Sequence, residues 1–119
     1  MKKLVLSALL FSVAVLSAAD LTGLYAGKGV KADQKYGPLG SDFQIGLTQA
    51  GSAITGFLIQ GKSPAIQFTG GAVSGNQVTI SLTEGNVLFT GLFTVNGDQL
   101  SGRLTGSDGD VYTIALTKQ

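Results

Sequence analysis

The side chains able to do chemistry are few, and most sit in links between apolar stretches. Lys28, Lys31 and Lys35 share a segment, 28–41, with Tyr36, Gly29, Gly37, Pro38 and Gly40. Ammonium groups beside a phenol can meet an anionic or sugar-like ligand. Asp108 and Asp110 flank Gly109. Asp-x-Asp can contribute to a calcium site, but calcium takes about six to eight oxygens and few are at hand. A hairpin turn accounts for the same three residues more simply. Lys62 stands in another link, and Glu84, the sole glutamate, in a third. A carboxylate pair for glycoside hydrolysis would have to be two aspartates brought together by folding. The chain has no Cys, His or Trp. That excludes a thiol nucleophile, an imidazole base, a Ser-His-Asp triad, a Cys/His zinc site and a disulfide framework. The expectation is a non-enzyme with no catalytic residue, no metal site and no cofactor.

The N-terminus speaks about destination. Lys2 and Lys3 precede an apolar run, Leu4 to Leu16, broken only by Ser7 and Ser12. Ser17-Ala18-Ala19 then places small residues ahead of Asp20. This is the pattern of a secretory signal peptide over residues 1–19, cleaved after Ala19. The apolar run is about 13 residues, short of the ~20 that a membrane-crossing helix needs. The expected product is exported, periplasmic or secreted, with residues 20–119 as a single domain. Without Lys2 and Lys3 the eight basic residues fall to six against seven acidic ones, a net charge of −1. Such a balance offers no footprint for a phosphate backbone, so nucleic acid is not an expected partner. A membrane is disfavoured once the signal is removed.

The elements that must position these residues are strands. After Asp20 no window sustains a 3.6-residue apolar period, whereas alternation is continual and punctuated by glycine-containing turns. The spacing predicts eight strands: 21–27, 42–49, 53–60, 65–73, 77–83, 87–95, 99–106 and 111–118. Links such as Asn96-Gly97-Asp98 suit tight hairpins. Short links force each strand to pair antiparallel with the next. Such a meander hides both edges only by closing on itself. The predicted fold is an all-β, eight-stranded antiparallel up-and-down barrel, with a β-sandwich as the alternative. Glycines inside strands, as at Thr55-Gly56 and Ser101-Gly102, suit the sharp bends of a small barrel.

One face of the strands carries the predicted core: Tyr25, Phe43, Ile45, Leu47, Ile54, Leu58, Ile66, Phe68, Val78, Ile80, Leu82, Phe89, Phe93, Val95, Leu100, Leu104, Tyr112, Ile114 and Leu116. The opposite face is rich in Thr, Ser and Gln. In a meander, alternate links share an end, so 28–41, 61–64, 84–86 and 107–110 come together. They gather Lys28, Lys31, Lys35, Tyr36, Lys62, Glu84, Asp108 and Asp110 into a candidate ligand mouth.

Leu21-Thr22-Gly23-Leu24-Tyr25 resembles the first strand of avidins and the Gly-x-Trp opening of lipocalins. The resemblance implies a calycin-type barrel with a long first loop over an open mouth. Tyr25 stands where those families carry Trp, and no biotin-site residue is carried over. In lipocalins a basic residue of the last strand packs on that Trp. Lys118 is the counterpart here, either packed on Tyr25 or solvated.

Three functional readings follow. The first is an exported binding module with an apolar interior and a loop-lined mouth, taking a small apolar or amphipathic ligand. The second is a non-catalytic structural or protein-interaction domain of the cell envelope or secretome. For it, Leu24, Phe57, Ile59, Leu88 and Leu92 on the polar face supply a contact patch. The third is an outer-membrane barrel, with the apolar face on lipid. An interior void above ~300 Å³ favours the first reading, and a solid core favours the second.

Overall fold

The computed structural model describes residues 20–32 and 39–119. Residues 1–19, on which the predicted signal peptide falls, and Lys35 and Tyr36 lie outside the described residues. Eight strands follow in order: β1 Gly23–Lys31, β2 Leu39–Ala50, β3 Ala53–Gln60, β4 Ile66–Ser74, β5 Gln77–Glu84, β6 Val87–Asn96, β7 Gln99–Gly106 and β8 Val111–Lys118. Each pairs antiparallel with the next, and β8 returns to β1 to close the barrel. Tyr25 sits opposite Lys118 and Lys31 opposite Tyr112 along that closing seam. Closure replaces the sandwich alternative and leaves no strand edge unpaired.

The turns explain why neighbours pair with neighbours. Glu84 faces Val87 and Asn96 faces Gln99 across two-residue loops. Gly85 and Gly97 take φ near +60°, while no residue other than glycine has positive φ among the described residues. Glycine first with an ordinary residue second is the II′ pattern, whose twist matches the strands it joins. The C-terminal end of β1, the N-terminal end of β2 and the links 61–65, 85–86 and 107–110 lie at one end, here termed the rim. Residues 20–22, Gln119 and the turns 51–52, 75–76 and 97–98 lie at the other, the base.

The core faces inward as the alternation requires. Fifteen of the nineteen predicted side chains are buried. Ile66, Phe68, Val95 and Tyr112 are only half-buried and pack against the rest. Two of these lie on β4, where the pairing shifts register on both sides, between Ala53 and Phe57 and between Phe68 and Gly70. Leu21 joins the core from just before β1, because its backbone is tied down on both sides. The outward positions carry mainly Thr, Ser and Gln, the reverse of what a lipid-spanning barrel needs.

The segment 28–41 departs most from expectation. Its two ends are strand, since β1 runs on to Lys31 and β2 begins at Leu39, with Gly29 opposite Ser41 and Lys31 opposite Leu39. The alternation was hidden there because glycines take the inward places. Space inside Gly27 is filled by the backbone of Ala115 and Leu116, and space inside Gly29 by the Phe43 ring and Ile114.

Candidate functional site

The rim is built from the inward ends of the strands. Lys31, at the end of β1, points inward by alternation and pairs with Asp110 Oδ2 at 3.2 Å, both groups about one-third exposed. Beneath them Tyr112 of β8 meets the Phe43 ring edge-on at 5.5 Å and lies 6.4 Å from Phe89. Such tilted and edge-on contacts suit the ring quadrupoles. Ser41 accepts a hydrogen bond from Gln60 Nε2 at 3.2 Å between β2 and β3.

The predicted mouth residues are not all at this rim. Lys28 is outward on β1 and pairs with Asp42 across to β2, both exposed. Alternation decides this: Lys28 and Lys31 stand three positions apart, an odd number, so they take opposite faces. Lys62 is exposed in the link after β3 and Glu84 at the end of β5. Asp108 Oδ1 accepts a hydrogen bond from the Asp110 backbone N–H at 3.0 Å, and Gly109 donates to the Gly106 carbonyl. This self-bonded turn uses the Asp108 carboxylate for local structure, while that of Asp110 meets Lys31. Lys35 and Tyr36 lie outside the described residues.

The base is closed by hydrogen bonds. The Tyr25 hydroxyl donates to the Leu21 carbonyl at 2.9 Å, buried from solvent. The Leu21 N–H donates to Gln49 Oε1, and the Gln49 N–H donates to Thr22 Oγ1. Burial pushes the Tyr25 phenol above its usual value, with Asp98 and then Asp20 adding to the effect. The Asp20 carboxyl is held below its usual value, chiefly by the Thr22 hydroxyl and also by the Thr22 backbone N–H. Lys118 lays its alkyl stem beside Gly23, so it is not a free tail residue.

The interior between rim and base is filled. Ten side chains, among them Tyr25, Phe43 and Phe93, are less than 2% exposed. Gly27, Gly29, Gly71, Gly91 and Gly102 open no space, while Gly70 faces open space on β4. Inside Gly91 lie Phe93 and Ile80, and inside Gly102 lies the backbone of Leu92 and Phe93. They let strands approach, which curls the sheet.

The outer wall carries the apolar residues left over. Phe57 folds its ring over Gly46 of the neighbouring strand. Beside Leu24 this forms an open groove of about 280 Å³. Four strands further round, on β6, Leu88 is 50% and Leu92 56% exposed. Ile59 is half-buried. The predicted patch is therefore two patches on opposite walls. Sequence reasoning missed Leu21 and Gln49 as the base fastening. A glutamine at an inward strand position was the available signal.

Fold and surface together define a closed, eight-stranded, antiparallel up-and-down β-barrel, compatible with a calycin-like barrel. Compared with known proteins, the chain matches no family model and no curated protein.

Proposed function

We propose that the chain is an exported, calycin-type barrel that acts without catalysis, as a protein-interaction module working through its outer wall. The packed interior carries this reading, because side chains and strand backbone occupy the space an enclosed ligand would need. Leu88 and Leu92 support it from outside, as large apolar side chains left in water on an otherwise polar wall. Export rests on residues 1–19, with cleavage after Ala19 delivering the barrel to the periplasm or the medium. Its partner is a protein rather than nucleic acid or lipid, given the near-neutral charge and the polar outer wall.

One observation favours a second reading. The Phe43–Tyr112–Phe89 cluster under the Lys31–Asp110 pair offers an apolar floor with charges above it. A small amphipathic ligand could settle there. Titration with a fluorescent apolar sulfonate dye separates the two readings. No emission change from the folded protein is expected under the interaction reading. A stoichiometric enhancement, lost in Tyr112→Ala but kept in Leu92→Lys, would replace it with the ligand reading. Intact mass of the exported product checks the leader: a chain beginning at Asp20 is expected.

A further inference from the structure

Three of the tight hairpins carry an asparagine, at Asn76, Asn86 and Asn96, and all three are exposed. Asn76 and Asn86 stand second in the turns 75–76 and 85–86, each after its glycine, whereas Asn96 precedes Gly97. The order matters because an asparagine side chain is open to attack by the backbone nitrogen of the residue that follows it. Gln77 and Val87 follow Asn76 and Asn86, and they pair with Ser74 and Glu84 to close two-residue hairpins. A closing pair of this kind exchanges both N–H···O bonds, so those two nitrogens are engaged. Gly97 lies beyond the closing pair Asn96–Gln99, and its N–H donates to no group among the described residues. Its φ is +63°, and nothing lies within 4 Å of where a Cβ would stand, so no side chain shields the nitrogen. The Asn96 side-chain amide likewise makes no hydrogen bond among the described residues. A second dipeptide of the same reactive type, Asp108-Gly109, is closed off by its turn. There the Gly109 N–H donates to the Gly106 carbonyl at 3.0 Å, and the Asp108 carboxylate accepts the Asp110 N–H.

We propose that Asn96-Gly97 is a site of spontaneous backbone modification that loosens the base as the protein ages. The Gly97 nitrogen gives up its proton and attacks Asn96 Cγ. The N–Cγ bond forms, the Cγ–Nδ2 bond breaks and ammonia leaves with the proton, closing a cyclic imide. Water then opens the ring at either carbonyl, giving aspartate or isoaspartate. Attack requires rotation about the Asn96 Cα–C bond away from its extended value, so the Asn96–Gln99 pair frays first. An exposed hairpin tip can open without disturbing the core. Isoaspartate routes the main chain through Cβ and Cγ and lengthens it by a methylene. The two-residue turn then no longer fits the register of β6 and β7. The base hangs on this turn, since the Asp98 carbonyl accepts the Lys118 N–H at 2.8 Å and the neighbouring Val95 N–H donates to the Asn76 carbonyl. Either product also sets a new carboxylate near that of Asp98.

Ageing of the purified product of the full chain at mildly alkaline pH tests this, with peptide mapping by mass spectrometry at intervals. The peptide holding Asn96 is expected to change from amide to carboxyl while those holding Asn76 and Asn86 keep their amides. An enzyme that methylates isoaspartate is expected to label the Asn96 peptide and to leave the Asp108 peptide unlabelled. Conversion is expected to quicken as pH rises, because the Gly97 nitrogen must lose its proton, and to quicken further in urea, which removes the need for fraying. Asn96→Gln, whose longer side chain closes the ring poorly, is expected to stay unmodified. Amide hydrogen exchange reads the loosening. The Lys118 amide is expected to lose protection in aged protein and to keep it in Asn96→Asp, which carries the charge without the added methylene. An Asn96 amide as durable as those of Asn76 and Asn86, or methylation at Asp108 as early as at Asn96, would overturn the proposal. So would Lys118 protection that is equal in fresh and aged protein, or lost as fully in Asn96→Asp. The wild-type chain carries the decisive arms, so a variant that melts early leaves the test intact. The outcome is independent of what the outer wall binds.

Discussion

At the base, a buried leucine is fastened by neutral hydrogen bonds; at the rim, an aromatic cluster is covered by a half-exposed ion pair. Leu21 and the Tyr25 hydroxyl are shielded from water, so their bond forms where leaving either group unmet would be costly. Lys31 and Asp110 meet where water still competes for both charges. The rim rings tilt against one another, and Tyr112 remains half-buried. The base is thus held by interactions that salt hardly touches, while the rim combines ring packing with a pair that salt weakens. The barrel thus has a locked end and a softer one.

The largest expected effect pits two rings of β6 against each other. Phe93, toward the base, is 1% exposed, and Phe89, toward the rim, is 8% exposed. Phe93→Ala is expected to destabilise by about 4–5 kcal/mol and Phe89→Ala by about 3 kcal/mol, because the rim can relax around the missing ring. Urea unfolding of both variants measures the gap, and equal losses would mean the rim is as rigid as the base.

Tyr25→Phe removes the donor to Leu21 and is expected to cost about 1–2 kcal/mol near neutral pH. It also alters the alkaline limb. Folding raises the Tyr25 phenol above its ordinary value near 10, so folding favours the protonated form. That contribution is complete below about pH 10 and is lost as pH climbs through the raised value. Wild-type stability should therefore fall more steeply above pH 10 than that of Tyr25→Phe, as followed by denaturant midpoints across pH. Parallel curves would detach the phenol from the fastening.

The smallest effect belongs to the rim charges. Lys31→Ala is expected to cost within about 1 kcal/mol, and less as salt is added. A salt-independent loss as large as that of Tyr25→Phe would erase the contrast between the ends.

The strand count and nearly the whole inward set were legible, because a period of two leaves the same trace in residues such as Val78-Thr79-Ile80-Ser81-Leu82 whatever surrounds them. The upper halves of β1 and β2 were not. At Gly27 and Gly29 the inward place is filled by other residues, so the strand carries no apolar trace of its own. The mouth suffered for the same reason. Once 28–31 is strand rather than loop, alternation sends Lys28 outward and Lys31 inward, and a set of charges close in sequence is divided.

Sequence by itself determined the leader pattern, the all-β meander and which side chains would seek the interior, since each depends on local composition and period. Only the tertiary structure decided that the interior is packed, that Lys31 meets Asp110, and that Leu88, Leu92, Arg103 and Ser107 share one wall. Those facts depend on register and curvature, which arise when strands distant along the chain settle against one another.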